Sequence, residues 1–153
     1  MAIEKPRVFV DADVLFAGAA APTEHGASLV VLRMAEITLI DAVASPQVVA
    51  EAERNLADKL PAAMPTFRMI VSRCLRLAPA PQPSDLALCA SLADPKDLPI
   101  LAAAVREGCP WLVTFNGRHF RPGHPAVTVL TPGQLILSVR DLLARLNPEA
   151  SLD

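Results

Sequence analysis

Cysteine is scarce in this sequence: 153 residues carry three, Cys74, Cys89 and Cys109, odd in number and widely spaced. That pattern argues against a disulfide framework and against the paired spacing of a zinc ribbon, and it predicts buried free thiols. Long apolar runs are missing as well. No stretch reaches the roughly 18 residues that a membrane-spanning helix needs, so the mean hydropathy of +0.37 is assigned to Ala, Val and Leu filling an interior. There is no excess of positive charge either. Fourteen Lys and Arg against sixteen Asp and Glu give a net charge of −2 and a pI near 5.9, which leaves no global basic footprint for nucleic acid, so any such contact must be local. The opening residues, Met1 to Pro6, lack the charged and apolar regions of a signal peptide, and a cytoplasmic location is expected. Internal repeats and low-complexity tracts are absent.

What is present is enough for one well-filled core. Hydrophobic residues make up 52% and charged residues 20%, and this length suits one compact domain, not two. We expect a single domain over 1–153, with its core at about 7–136, a closing helix at about 131–146 and a loose tail over 147–153.

The stretch from Arg7 to Leu15 organises the rest. Val8-Phe9-Val10 has no polar alternation, which is the mark of a strand buried on both faces, and it runs directly into Asp11-Ala12-Asp13. Asp11 therefore stands where the chain first leaves the core. A short helical turn over Val14 to Ala20 and a polar loop from Pro22 to Gly26 follow. Apolar positions at helical spacing predict a helix over Ala27 to Glu36, entering a second strand over Thr38 to Ala44, so the chain begins β-α-β.

Ser45-Pro46 predicts a helix start, with Ser45 as N-cap and Pro46 in the first turn. Val48, Val49, Ala52, Leu56 and Leu60 share one side of that helix, while Glu51, Arg54, Asn55 and Asp58 share the other. Phe67 to Cys74 is expected as a helix, Leu75 to Leu77 as a short strand, Pro79 to Pro83 as a rigid loop and Ser84 to Leu92 as a helix. Asp97 is placed to cap a further helix stopped by Gly108. Trp111 to Phe115 reads as a buried strand ending at Asn116, Val127 to Leu130 as a last strand, and Thr131-Pro132 as the start of the closing helix.

Asp11 and Asn116 at strand exits, Glu51 early in a helix and Asp97 at a helix N-terminus can converge in a doubly wound sheet, because such sheets bind ligands beyond the carboxyl ends of their strands. Carboxylates gathered in one place repel and call for a cation. Oxygen donors with open positions suit Mg2+ or Mn2+, which support attack of water on phosphodiesters.

Four segments taken in order, Val10-Asp11-Ala12-Asp13-Val14-Leu15, Ser45 to Glu51, Asp94-Pro95-Lys96-Asp97 to Ala102, and Leu112-Val113-Thr114-Phe115-Asn116, resemble a PIN domain. The likeness runs from about Arg7 to about Ile136 and is nearest to bacterial proteins described as toxin components of toxin–antitoxin pairs, relatives of the VapC-like ribonucleases. It implies a three-layer α/β/α sandwich with a central, mostly parallel sheet of four to five strands, and Mg2+- or Mn2+-dependent cleavage of single-stranded RNA. An antitoxin protein and a second copy of the chain are the protein partners it suggests. Carried over, Asp11, Glu51 and Asp97 match the acidic metal positions and Asn116 the fourth, often Asp. His119 stands where related sequences place another acid.

Each assignment has a plainer alternative. Asp13, usually Asn or Ser in the family, either ligates the ion or hydrogen-bonds beside it. Glu51 would otherwise belong to a solvated helix face, and Asp97 would only cap its helix. Thr114 either contacts the site or fills its strand. Arg118, His119, Arg121 and His124 form either a solvated loop or a local patch that positions phosphate. Asp94 reads as a turn residue, and Trp111 and the five phenylalanines read as core. Two other functions fit part of the pattern: a PIN-like module that binds RNA or antitoxin without cutting, and a haloacid-dehalogenase-type phosphatase. The phosphatase fits Asp11-Ala12-Asp13, but the strand ending at Phe115 is followed by no acidic pair.

Overall fold

In the computed structural model, which describes residues 4–21 and 26–146, the first strand β1 (Arg7–Val10) buries Val8, Phe9 and Val10 completely. This is the consequence of a run without polar alternation. The expected polar loop at 22–26 lies outside the described residues except for Gly26, and the expected tail over 147–153 lies wholly outside them. Beyond β1 come α1 (Ala12–Ala19), α2 (Ala27–Glu36), β2 (Asp41–Ala44), α3 (Pro46–Lys59), α4 (Met64–Cys74), β3 (Arg76–Leu77), α5 (Pro83–Leu88), α6 (Leu98–Arg106), β4 (Trp111–Val113), a 3-10 turn (Gly117–Phe120), β5 (Thr128–Leu130) and α7 (Pro132–Arg145).

The strands form one five-stranded sheet in the order β3-β2-β1-β4-β5, and every pairing is parallel. The chain builds outward from β1 through β2 to β3, then returns to the other side of β1 for β4 and β5. Strand order therefore reverses between β1 and β4, and the crevice at their carboxyl ends is the position favoured for a ligand. Helices α1 to α4 and α7 pack among themselves, and α5 packs on α6. These two groups are the outer layers of an α/β/α sandwich.

Close helix contact is built in at Gly18, where a Cβ would overlap Leu32 Cδ1 of α2. The fully buried Phe9, Leu15, Leu32, Leu56, Phe67, Ile100 and Leu112 fill the interior, each worth about 1.5–3 kcal/mol relative to exposure. Cys89 and Cys109 are buried and Cys74 is half-buried, all as free thiols.

Several boundaries depart from the sequence expectations, each for a local reason. β2 begins at Asp41, not Thr38, because α2 closes with Thr38 in the left-handed region (φ 67), the Thr38 N–H donating to Ala35 O and the Leu39 N–H to Met34 O. α5 starts at Pro83 through a reciprocal Gln82/Asp85 capping box and stops at Leu88, ahead of Ser91 at φ 66. Ser45 and Asp97 occupy N-cap positions, yet neither makes a side-chain cap hydrogen bond. Thr131 caps α7 as expected, paired with Gln134.

Charge is arranged differently at the two ends of the sheet. At the amino ends, Asp41 pairs with Arg7 and Arg76, and Glu107 pairs with Arg76 and Arg106. At the carboxyl ends of β1 and β4, Asp11 and Asp13 have no cationic partner among the described residues.

Candidate functional site

Asp11 leaves β1 as the N-cap of α1, a position with extended backbone (φ −77, ψ 160). Its backbone N–H donates to Val113 O of β4, which ties it to the strand-order reversal. The side chain is only 7% exposed. Oδ1 accepts from the Ala12 N–H at 2.7 Å and Oδ2 from the Thr114 hydroxyl at 2.8 Å. Thr114, fully buried at the end of β4, thus holds the carboxylate instead of merely filling its strand. Burial is the main influence on Asp11, with the charge of Asp13 next. They outweigh the two hydrogen bonds and push the carboxyl from its ordinary 3.8 up to about 7, and Glu51 adds a smaller push in the same direction.

Asp13, in the first turn of α1, reaches the same hydroxyl. Its Oδ2 accepts from the Phe115 N–H at 3.0 Å and from Asn116 Nδ2 at 3.1 Å, and lies 3.2 Å from Thr114 Oγ1, whose one proton makes the shorter bond to Asp11. Its Oδ1 is buried and takes no hydrogen bond among the described residues. Burial raises its carboxyl above the usual range, and the hydrogen bonds hold the rise back. Asn116 also donates its backbone N–H to Thr114 Oγ1 at 3.1 Å. Asp11, Asp13, Thr114 and Asn116 therefore form one hydrogen-bonded unit.

A second group stands at the start of α6. Asp94, Asp97 and His119 each bring one potential donor atom to within 4.8 Å of the others. Backbone bonds fix this arrangement: the Asp94 N–H donates to His119 O, and the Asp97 N–H donates to Asp94 O. Asp97 Oδ2 is 3.3 Å from His119 Nδ1, close enough for an ion pair, yet it takes no hydrogen bond and is buried. Burial raises the Asp97 carboxyl, with Lys96 and His119 opposing. The two groups are joined by the 3-10 turn, where the His119 N–H donates to Asn116 O. Glu51 is half-buried on α3. Gln47, one helical turn before it on the same face, donates to Lys96 O at 3.4 Å, so that face of α3 borders the Asp94 to Asp97 loop.

A family model described as a PIN domain matches residues 7–118. The chain belongs to the PIN domain family. The segments carrying the sequence resemblance are therefore family segments, and the phosphatase alternative falls. No curated protein matches the sequence. Among solved structures, this PIN domain is similar in fold to VapBC2 from Rickettsia felis, a complex described as bound to a DNA fragment from its promoter. The TM-score is 0.60 at 15% identity, covering 82% of this chain and 98% of the other. It is also similar to VapC20 from Mycobacterium tuberculosis, described as a toxin that cleaves the sarcin-ricin loop, with a TM-score of 0.48 at 17% identity, covering 69% of this chain and 86% of that one.

Around the acids of this PIN domain, the basic residues divide. Arg118 and Arg121 are exposed, and neither makes an ion pair among the described residues. His119 turns to Asp97, and His124 Nδ1 accepts from the Ala126 N–H. Phe115 corrects the expectation that the aromatics are core: it is 51% exposed, whereas Phe9, Phe67 and Phe120 are buried. Its ring follows Thr114, whose hydroxyl lies beside both aspartates. One donor was missed by sequence reasoning. Asp94 was read as a turn residue only, although its spacing of three from Asp97 across a turn places both on one side. Asp13 was already a candidate, but which of its oxygens is free had no sequence signal, because only the fold brings the Phe115 N–H and the Asn116 amide to the other. Among the described residues, no helix is long and apolar enough to cross a membrane.

Proposed function

We propose that this PIN domain is a divalent-metal-dependent ribonuclease that hydrolyses phosphodiester bonds of single-stranded RNA, acting as the toxin of a toxin–antitoxin pair. The observation that carries this reading is the pair of carboxylates, Asp11 and Asp13, at one hydroxyl in the β1–β4 crevice, with no cation among the described residues paired to either. The buried Asp13 Oδ1, which takes no hydrogen bond among the described residues, and the buried Asp97 Oδ2, faced only by His119, fit a hard divalent ion such as Mg2+ or Mn2+. Asp11, Glu51 and Asp97 would hold it, with Asp94 and His119 beside Asp97. When bound, such an ion supplies charge neutralisation and an activated water for attack on phosphorus.

The chain's own residues do the rest. Thr114 donates its proton to Asp11 and fixes the carboxylate plane. Arg118 and Arg121 supply a local positive patch for the RNA backbone, which a protein of net charge −2 needs. The exposed Phe115 ring offers a face on which a base can stack. An antitoxin partner is supported by the fold shared with the Rickettsia felis complex.

One observation favours a second reading, that the protein binds RNA or antitoxin without cutting: the Asn116 amide is committed to Asp13. The test that separates them is cleavage of a panel of single-stranded RNAs with Mg2+, with Mn2+ and with EDTA. Metal-dependent cleavage by the wild type, abolished in Asp11→Asn with the circular dichroism spectrum retained, is expected. Equal cleavage by both proteins, or none by either across the panel, points to the binding module.

A further inference from the structure

We propose that Asp13, and not Asn116, supplies the ligand oxygen beside Asp11, and that Asn116 is a positioning residue that aims Asp13 at the ion. The inference rests on the metal-dependent reading above and changes the roles of two residues within it.

The two oxygens of Asp13 are in opposite conditions. Oδ2 accepts from two donors, the Phe115 N–H and the Asn116 amide, at 3.0 and 3.1 Å, and lies 3.2 Å from the Thr114 hydroxyl, whose one proton makes the shorter bond to Asp11. A carboxylate oxygen offers about two lone-pair directions, so the two amide donors engage Oδ2 fully and set the carboxylate plane. Oδ1 is buried and takes no hydrogen bond among the described residues. An oxygen held so firmly by its partner atom and left free itself is prepared for a cation.

Asn116 is in the reverse condition. The Asn116 atom that faces Asp13 is the amide nitrogen, which can only donate. The Asn116 backbone N–H is bound to Thr114 Oγ1 as well, so the residue is anchored at two points, and reversing the amide to present its carbonyl in place of its nitrogen would lose the bond to Asp13. The carboxylate brings the charge an ion requires, and the amide brings none. Asp11 standing outside helical geometry, as the N-cap of α1, is what lets residues 11 and 13 reach one hydroxyl and lie side by side.

The test titrates metal-free protein with Mn2+ by calorimetry, for the wild type, Asp13→Asn, Asn116→Ala and the exchanged pair Asp13→Asn/Asn116→Asp, with folding in EDTA followed by circular dichroism. Loss of the positioning amide in Asn116→Ala is expected to weaken Mn2+ about 10-fold, the range for a residue that orients a ligand. Asp13→Asn should weaken it further, and the exchanged pair, which moves the carboxylate to the position that does not ligate, should bind no better than Asp13→Asn. Wild-type-like binding by Asp13→Asn together with loss in Asn116→Ala would overturn the assignment. Absence of Mn2+ binding by the wild type would instead overturn the metal-dependent reading itself. Anomalous diffraction from Mn2+-soaked wild-type crystals decides the matter without any variant: ligation by Asp13 Oδ1 is expected, and ligation by the Asn116 carbonyl refutes it.

Discussion

Replacing Asp11 by Asn should make the metal-free protein more stable while destroying its metal binding. The carboxyl ionises at its ordinary 3.8 in the unfolded chain and at about 7 in the fold, chiefly through burial and then through the charge of Asp13. A raised folded value means that the folded state holds the proton more tightly than the unfolded chain does. The stability this contributes is complete below pH 3.8 and is lost as the pH climbs through 7, so in EDTA the wild type should weaken from pH 5 to pH 8. At about 1.36 kcal/mol per pH unit, the ionised site costs on the order of 4 kcal/mol at pH 8. Asn keeps the shape of the site. Its carbonyl can accept from the Ala12 N–H, its amide can donate to Thr114 Oγ1, and the threonine proton is then free to serve Asp13. Some of the gain is lost because neutral hydrogen bonds are weaker than charge-assisted ones. We therefore expect a net gain of about 2 kcal/mol at pH 8, or about 4–8 °C in Tm for a chain of this size, and a flatter pH profile. The assay is thermal denaturation in EDTA at pH 5 and pH 8, repeated with Mn2+, where only the wild type should gain. A variant less stable than wild type at pH 8 in EDTA, or a wild type equally stable at both pH values, would refute the reasoning.

Three further outcomes are expected. Thr38→Gly should stabilise by about 0.5–1 kcal/mol in urea denaturation, because a β-branched residue is strained at φ 67 and glycine is not; a loss of stability would mean that the Thr38 side chain makes a compensating contact. Gly18→Ala should cost about 1–3 kcal/mol, since the new methyl group meets the fully buried Leu32, which has little room to move; an unchanged denaturation midpoint would contradict the close α1–α2 approach. Phe115→Ala should weaken binding of a single-stranded oligoribonucleotide in EDTA by about 1–3 kcal/mol by fluorescence anisotropy, with Phe115→Trp retaining it; equal affinity for all three proteins would remove the stacking role.

The parts of this protein legible from sequence are those set by neighbours in the chain. Val8-Phe9-Val10 without polar interruption is a buried strand wherever it lies, Pro46 and Pro132 start helices because the first turn needs no proline N–H, and Thr131 with Gln134 satisfies a helix end reciprocally. Asp11 at a strand exit followed from the same reasoning, and the resemblance to PIN domains turned a row of acids into an expected metal centre. The less legible parts depend on residues far apart in sequence. Strand order placed β4 beside β1, so that a threonine more than a hundred positions away could hold Asp11 and lie beside Asp13. Burial on every side lifted the Asp11 carboxyl, whereas Phe115, inside an apolar run, came out half exposed at the rim. The sequence by itself determined which residues could ligate, since donor chemistry belongs to the side chain. Only the tertiary structure decided which oxygen of Asp13 is free and which way Asn116 faces, because the direction of a hydrogen bond is settled by where its partner has been packed.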